Sequence, residues 1–336
     1  MASSSSASAP AARTAVLYVN LGTPEAPTAP AVRRYLAEFL GDPRVVELPR
    51  AAWLPILHGV VLRVRPAKSA AKYATIWMPE GSPLKVWTER QAGLMQDWLA
   101  AHGSAVPVLP AMRYGEPALL RQLDALQRQG VRQLLVVPAY PQYSGTTTAS
   151  VSDSVYQWAQ RQRAVPEIRL VRSYPDDPAY IDALAAGVRR HWAEHGRPEV
   201  LVMSFHGLPA RNVRLGDPYQ DECRTTAQAL ARRLELPDAA WRLTFQSRFG
   251  RARWLEPYTE PTLVALARQG VAHAQVVCPG FTGDCIETLE EIDQEVRAAY
   301  LQAGGSRFSY IPCLNDSTEG IQALAQVAQR QLSGWI

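Results

Sequence analysis

Two stretches of this chain occur twice, and the repetition limits what it can fold into. VLYVNLGTPE from Val16 looks like VLVMSFHGLPA from Val200. VRQLLVVPAYPQYSGTTT from Val131 looks like VAHAQVVCPGFTGDCIET from Val271. Each is a short apolar run that ends abruptly in glycine, proline or hydroxyl residues. Runs of that kind suit strands buried on both faces. A chain that repeats such strands in the same order points to two similar units.

Strand-like runs lie at Ala15–Leu21, Val131–Pro138, Ile168–Arg172, Val200–Phe205, Arg242–Gln246 and Ala274–Val277, with weaker ones at Ala105–Leu109 and Arg307–Ile311. Helical periodicity fills the intervals, at Ala31–Leu40, Thr88–Ala101, Pro117–Gln129, Pro178–His195, Asp221–Leu234, Glu260–Gln269, Glu287–Ala303 and Glu319–Leu332. Strands alternating with helices of this length imply βαβ units and parallel sheets. The fold class is therefore α/β, with two Rossmann-like doubly wound domains over 14–172 and 173–314. Helices flank each parallel sheet, and the active cleft lies between the domains. The repeated stretches stand further apart in the first half, which predicts an insertion at about 45–87. Residues 315–336 form a terminal helix expected to pack back on the first domain. Residues 1–13 read as a disordered tail.

Composition excludes several function classes. Apolar residues make up 47%, ample for sizeable cores. The net charge is +4, from 35 basic and 31 acidic residues without a basic run, so no nucleic-acid partner is expected. The four cysteines, Cys223, Cys278, Cys285 and Cys313, form no C-x-x-C pair, which argues against a zinc ribbon. The opening MASSSSASAPAA lacks the basic start and apolar core of a secretory signal, so a reducing cytoplasm is the expected compartment. Val45–Val64 is the most apolar stretch. Glu47, Pro49, Arg50, Pro55 and Arg63 interrupt it, leaving too little to cross a bilayer.

Chemistry concentrates at strand ends. His206 closes the run from Val200, at the sheet edge where open α/β folds bind ligands. It can titrate near neutral pH and ligate metal; the bland alternative is a histidine bonded to a loop carbonyl. After the strand ending at Val277, Gly280, Gly283 and Asp284 mark a turn, and a helix starts near Ile286. Glu287, Glu291 and Glu295 follow at i, i+4 and i+8, on one face of an α-helix. By itself that row reads as a solvated acidic face. Beside a histidine it also reads as a path for protons or a hard cation. Histidine plus carboxylate suits a loosely held divalent first-row metal. Arg113 and Tyr114, and Ser247 with Arg248, close other strands, and Trp254 follows shortly after. A flat ligand with acidic edges would use such aromatic walls and arginines. The hydroxyls of SGTTTAS suit an anion or, equally, a helix cap. No nucleophile elbow supports a hydrolase.

These motifs resemble the ferrochelatases. The resemblance rests on SFHGLP, RLGDPYQDEC, FQSRFGRARW, GFTGDCIETLEEID and AYPQYSGTT, with NLGTPE and EGSPLKVWT near the start. It runs in order over nearly the whole chain from about Thr14. It implies an enzyme, a metal-chelatase lyase that inserts Fe²⁺ into protoporphyrin IX to form protohaem, the last step of haem biosynthesis. His206 would face the pyrrole nitrogens as base and metal-proximal ligand. Glu287 would be its partner, as metal ligand or proton relay. Asp284, Glu291 and Glu295 would continue the acidic path. Leu21, Arg113, Tyr114, Tyr140, Tyr143, Ser247, Trp254 and Phe281 would shape the porphyrin pocket. Fe²⁺ would be a substrate, with no prosthetic group.

Cys285 stands where animal members have histidine, and a buried inert thiol is the expected reading. Animal members also carry C-terminal cysteines for a [2Fe–2S] cluster. The sequence here lacks a comparable run, so a bacterial-type protein without a cluster is expected. The insertion reads as a buried helix hairpin. The resemblance makes it a lip over the porphyrin, with Trp53 and Leu57 in position to touch a membrane surface. Two other readings remain open: a chelatase for coproporphyrin III or another tetrapyrrole, and a non-catalytic tetrapyrrole carrier.

Overall fold

The computed structural model describes residues 13–250 and 252–336; the expected tail, apart from Arg13, lies outside the described residues. Among the described residues there are eight strands: β1 (Thr14–Gly22), β2 (Val108–Tyr114), β3 (Gln133–Pro138), β4 (Glu167–Leu170), β5 (Val200–His206), β6 (Trp241–Gln246), β7 (His273–Val277) and β8 (Arg307–Ile311). They form two four-stranded sheets with orders β2-β1-β3-β4 and β6-β5-β7-β8. All pairings between these strands are parallel. The second order is the first repeated four strands later. The repetition visible in the sequence is thus one topology used twice, an α/β fold of two Rossmann-like units.

The helices are α1 (Ala29–Gly41), α2 (Arg50–Ile56), α3 (Leu62–Ile76), α4 (Pro83–Ala101), α5 (Leu119–Arg128), α6 (Thr148–Ala159), α7 (Pro178–His195), α8 (Ala210–Arg214), α9 (Tyr219–Arg233), α10 (Thr259–Arg268), α11 (Arg297–Gln302) and α12 (Thr318–Leu332). Two π-helical segments, Leu57–Val61 and Glu287–Val296, lie before α3 and α11. The central strands are sealed on both faces. β3 and β7 are buried throughout, and β5 is buried except at His206. Each fully covered Val, Leu or Phe contributes roughly 1.5–3 kcal/mol. α12 lies against α4, α7 and β3, so the last helix bridges both halves.

The sequence periodicity marks no element between Pro138 and Ile168, yet the stretch after Gly145 starts helix α6, at the place where its hydroxyls also read as a helix cap. Short hydroxyl side chains compete with the backbone for its hydrogen bonds, but Val151, Val155 and Trp158 pack against the first sheet and override that preference. Three local expectations need correction. The strand expected at Ala105–Leu109 runs instead from Val108 to Tyr114, since it must pair with β1 as far as Gly22. The helix expected at Glu287–Ala303 is π-wound over its first ten residues. Finally, the insertion is only half buried. Val32, Tyr35, Leu36, Leu40, Leu57, Leu62 and Tyr73 form one cluster with Tyr114. On the other flank Ile56, Val60 and Val64 are 47%, 59% and 60% exposed. Leu57, expected at the surface, is fully buried, and the Trp53 indole donates to the Leu40 carbonyl at 2.7 Å.

Candidate active site

The candidate site residues lie along the carboxyl edges of β1, β2, β3, β5, β6 and β7, where each strand gives way to a loop. Two glycines allow the close approach there. Gly22 has φ +117°, and a Cβ on it would lie 1.8 Å from the Tyr114 carbonyl oxygen. A Cβ on Gly207 would lie 2.7 Å from the Gln246 carbonyl and 3.1 Å from the Trp254 ring. Only glycine has no such atom to displace its neighbours.

His206 is the last residue of β5, opposite Gln246 on β6, and is partly exposed. Its Nδ1 lies 2.7 Å from the Gly207 carbonyl oxygen. A carbonyl only accepts, so Nδ1 carries a proton, and in the neutral ring the lone pair is on Nε2. The Trp254 ring sits beside it, 6.5 Å between centroids, with Phe249 4.8 Å beyond. The loop-carbonyl reading of His206 therefore holds for one ring nitrogen, while the other stays available for chemistry.

Glu291 is the carboxylate tied to this wall. Ser247 donates to it twice, from its backbone N–H at 2.6 Å and its hydroxyl at 2.6 Å. Ser247 adopts φ +63°, a left-handed conformation that costs a non-glycine residue about 1 kcal/mol. Burial raises the pKa of Glu291 above the ordinary carboxylate value, and the Ser247 bonds and the proximity of the His206 ring oppose that rise. Gln246 anchors the same helix start. Its side-chain amide donates to the Glu287 carbonyl at 2.7 Å, and its amide oxygen accepts from Ser204 at 2.7 Å.

Glu287 also has neighbours in the first half of the chain. Its charge raises the pKa of Tyr35 and Tyr73, after burial the next influence on Tyr73. Both tyrosines belong to the α1–α3 cluster. The α-helical spacing that put Glu287, Glu291 and Glu295 on one face is replaced by π winding. Glu291 turns to Ser247, while Glu295 pairs with Lys72 at 2.7 Å. Asp284 lies behind the helix start and is 5% exposed. It accepts from Tyr310, Thr288 and Asn315 at 2.5, 3.1 and 2.7 Å. Those bonds pin the turn into the helix.

The pocket residues divide in the same way. Leu21 packs against the cluster that contains Tyr35 and Tyr114. Phe281 packs against the β7–β8 core. The Arg113 guanidinium pairs with Asp42 at 2.6 Å and donates to the Ser150 hydroxyl at 2.7 Å; the Tyr114 hydroxyl donates to Asp42 at 2.7 Å. Their polar ends are thus engaged inside the protein. Tyr143 lies under Arg172, 4.6 Å from the guanidinium carbon to the ring centroid, and its N–H donates to Glu222 at 2.7 Å. The Tyr140 hydroxyl is buried and has no hydrogen-bond partner. Burial pushes the Cys285 thiol well up, and the Glu287 charge adds to it, so it stays protonated at neutral pH.

Sequence reasoning missed Asp42, Gln246, Lys72, Tyr35 and Tyr73. Only Gln246 carried a signal, as the residue that closes the strand-like run from Arg242. Among the described residues, no three His, Cys, Asp or Glu side chains are grouped to hold a metal ion. A cavity of about 340 Å³ between α7 and the end of β8 is lined by His191, His195, Tyr310 and Cys313 and contains none of His206, Glu287, Glu291 and Glu295.

The arrangement offers an imidazole lone pair, a buried carboxylate and an aromatic wall along one edge. Comparison with known proteins bears on its use. The family model described as Ferrochelatase matches residues 13–332. A ferrochelatase of Methylibium petroleiphilum is 63% identical, covering 97% of this chain and 90% of the relative. One of Polaromonas sp. is 61% identical over 96% and 88%. Among solved structures, SirB from Bacillus subtilis with Fe³⁺ aligns at TM-score 0.56 and 14% identity, covering 96% of this chain and 97% of that one. CbiX, described as the terminal enzyme of sirohaem biosynthesis in denitrifying bacteria, aligns at TM-score 0.52 and 16% identity over 95% and 100%. These two likenesses concern the fold.

Proposed function

The chain belongs to the ferrochelatase family and is an enzyme that inserts metal into a tetrapyrrole, and on that premise we propose that it inserts Fe²⁺ into protoporphyrin IX to form protohaem. The observation that carries this reading is His206, with its proton fixed on Nδ1 and Nε2 free at a strand end, beside the carboxylate-bearing helix.

Insertion exchanges two pyrrole N–H protons for one Fe²⁺, so the protein must bend the ring, take protons and supply metal. Planar porphyrin points its nitrogen lone pairs inward. Bending them out costs strain of about 1–5 kcal/mol, drawn from contacts remote from the nitrogens. Trp254, Leu21, Phe281, Tyr140 and Tyr143 are the apolar walls proposed to supply those contacts. Arg113 and Tyr114, tied to Asp42, hold the N-terminal wall rigid. Ser247 does the same for the facing side through Glu291. His206 Nε2 accepts one pyrrole proton and the acidic path that begins at Glu287 takes the other, with His206 as the residue proposed to be proximal to the entering Fe²⁺. Glu287 is its partner as metal ligand or relay. Glu291 and Glu295 extend the acidic path outward, and Asp284 holds the turn from which it starts. No prosthetic group or iron–sulfur cluster enters this scheme.

Among the described residues no helix is long and apolar enough to cross a membrane. We place the enzyme in the cytoplasm, with the exposed Ile56, Val60 and Val64 of the lip resting on a membrane surface where apolar porphyrins partition.

The test is an anaerobic assay with Fe²⁺, offering protoporphyrin IX and coproporphyrin III separately. Metallation of protoporphyrin IX supports the proposal, and turnover of coproporphyrin III alone overturns the substrate. His206→Ala should lower kcat by at least about a hundredfold, as loss of a general base does, while porphyrin binding measured by fluorescence stays within a few-fold. Near-normal turnover by that variant would remove His206 from its role.

A further inference from the structure

The helix Glu287–Val296 receives a contact from the other half of the molecule that matches its unusual winding. Lys72 on α3 places its ammonium 3.0 Å from Glu290 Oε2 and 2.7 Å from Glu295 Oε1. The two glutamates are five residues apart. In an α-helix, at 3.6 residues per turn, that interval swings a side chain about 140° around the axis. In a π-helix the backbone bond itself joins i to i+5, so the pair stacks one turn apart on one flank. One ammonium bridges both carboxylates in the π register and loses one of them in the α register.

Glu290 makes the bridge matter. It is 7% exposed, whereas Glu295 is half exposed. Burial raises the Glu290 pKa, and the Lys72 bond and charge oppose that rise. A buried carboxylate stripped of its partner is a strongly destabilising arrangement. A second tie runs alongside, from the Gln294 side-chain amide to the Thr75 hydroxyl at 3.3 Å. On the opposite flank Gln246 and Ser247 hold Glu287 and Glu291 from β6 and the loop after it. The helix is therefore gripped on one flank by the lip and on the other by the second sheet.

We infer that Lys72 is a positioning residue: by bridging Glu290 and Glu295 it holds this helix in π winding and so sets where Glu287 and Glu291 stand relative to His206. The inference rests on the roles proposed for those carboxylates. It also makes the lip part of the catalytic alignment, because α3 carries both Lys72 and Tyr73, the neighbour of Glu287.

The experiment compares Lys72→Met, Lys72→Arg and Glu295→Gln in the full-length enzyme by crystallography and steady-state kinetics. Glu295 is exposed enough that its substitution leaves folding intact. Lys72→Met should show i→i+4 backbone bonds across Glu290–Glu295 and a kcat lowered about tenfold, equivalent to about 1.4 kcal/mol in the barrier, with the porphyrin KM within twofold. Glu295→Gln should move both readouts the same way. Lys72→Arg, which keeps a cation able to reach both carboxylates, should restore π winding and kcat. Retained π winding in Lys72→Met would overturn the inference, as would a loss of kcat that arginine does not rescue. The winding is read without activity. Failure of the wild-type enzyme to metallate protoporphyrin IX would therefore sink the substrate proposal and leave this result to be judged separately.

Discussion

Asp42 shows how much one residue can hide. In the sequence it is an aspartate before a proline, a turn signal and nothing more. In the fold it is buried and accepts from Arg113, Tyr114, Ser150 and the Arg44 backbone. Burial alone would raise its pKa, but the Ser150, Arg44 and Tyr114 bonds and the Arg113 charge together hold it below the usual carboxylate value. A depressed folded-state pKa contributes stability that is present above the unfolded value, near 4, and is lost as pH falls through the folded value. Asp42→Ala should therefore cost about 3–5 kcal/mol at pH 7, as expected when a buried pair loses one partner. Urea denaturation should show the gap between wild type and variant shrinking steadily below pH 4. A gap that does not change with pH would mean the carboxylate charge is not what the network uses. His206 is the opposite case: its position could be read from apolar residues running into glycine, and only its tautomer needed the neighbouring carbonyl.

At the scale of elements, the strands were legible because buried parallel strands are continuous apolar runs, and β1, β3, β5 and β7 are such runs. Winding was not legible. Glu287–Val296 carries an ordinary helical pattern, and the contacts that hold it as a π-helix come from α3 and from Gln246, distant in the chain. Gly207 gives this scale its own test. Gly207→Ala puts a methyl against the Gln246 carbonyl and the Trp254 ring, so the β5–β6 edge must spread. Overpacking of this kind costs about 1–3 kcal/mol. The variant should unfold at correspondingly lower urea and show altered Trp254 fluorescence. Wild-type stability and emission together would show that the edge has room the structure does not provide.

For the molecule as a whole, the two halves meet through a buried polar junction. Gln91 on α4 accepts from the Tyr18 hydroxyl at 2.9 Å and donates to the carbonyls of Thr282 and Asn315, both at 2.8 Å. Asn315 in turn donates to Asp284 at 2.7 Å. The first half is thereby linked to the turn that starts the π-helix. The lip gives the prediction at this scale. Ile56→Glu with Val60→Glu adds charge to an exposed apolar flank that makes no core contact, so stability should hold. The affinity for anionic lipid vesicles, read by co-sedimentation, should fall about thirtyfold or more, since each exposed apolar side chain lost from an interface forfeits about 1–2 kcal/mol. Unchanged vesicle binding would remove the lip from any membrane role.

The sequence by itself determined the architecture, because burial on both faces forces apolar strands and a repeated pattern forces a repeated topology. It also located His206 and the glutamates, since strand-end chemistry is set by local order. Only the tertiary structure decided how those groups are aimed. π winding, the tie of Glu291 to Ser247 and the engagement of Arg113 with Asp42 all depend on partners far away in the chain. Such partners exert their short-range hydrogen bonds and charges only once folding has brought them within a few ångströms.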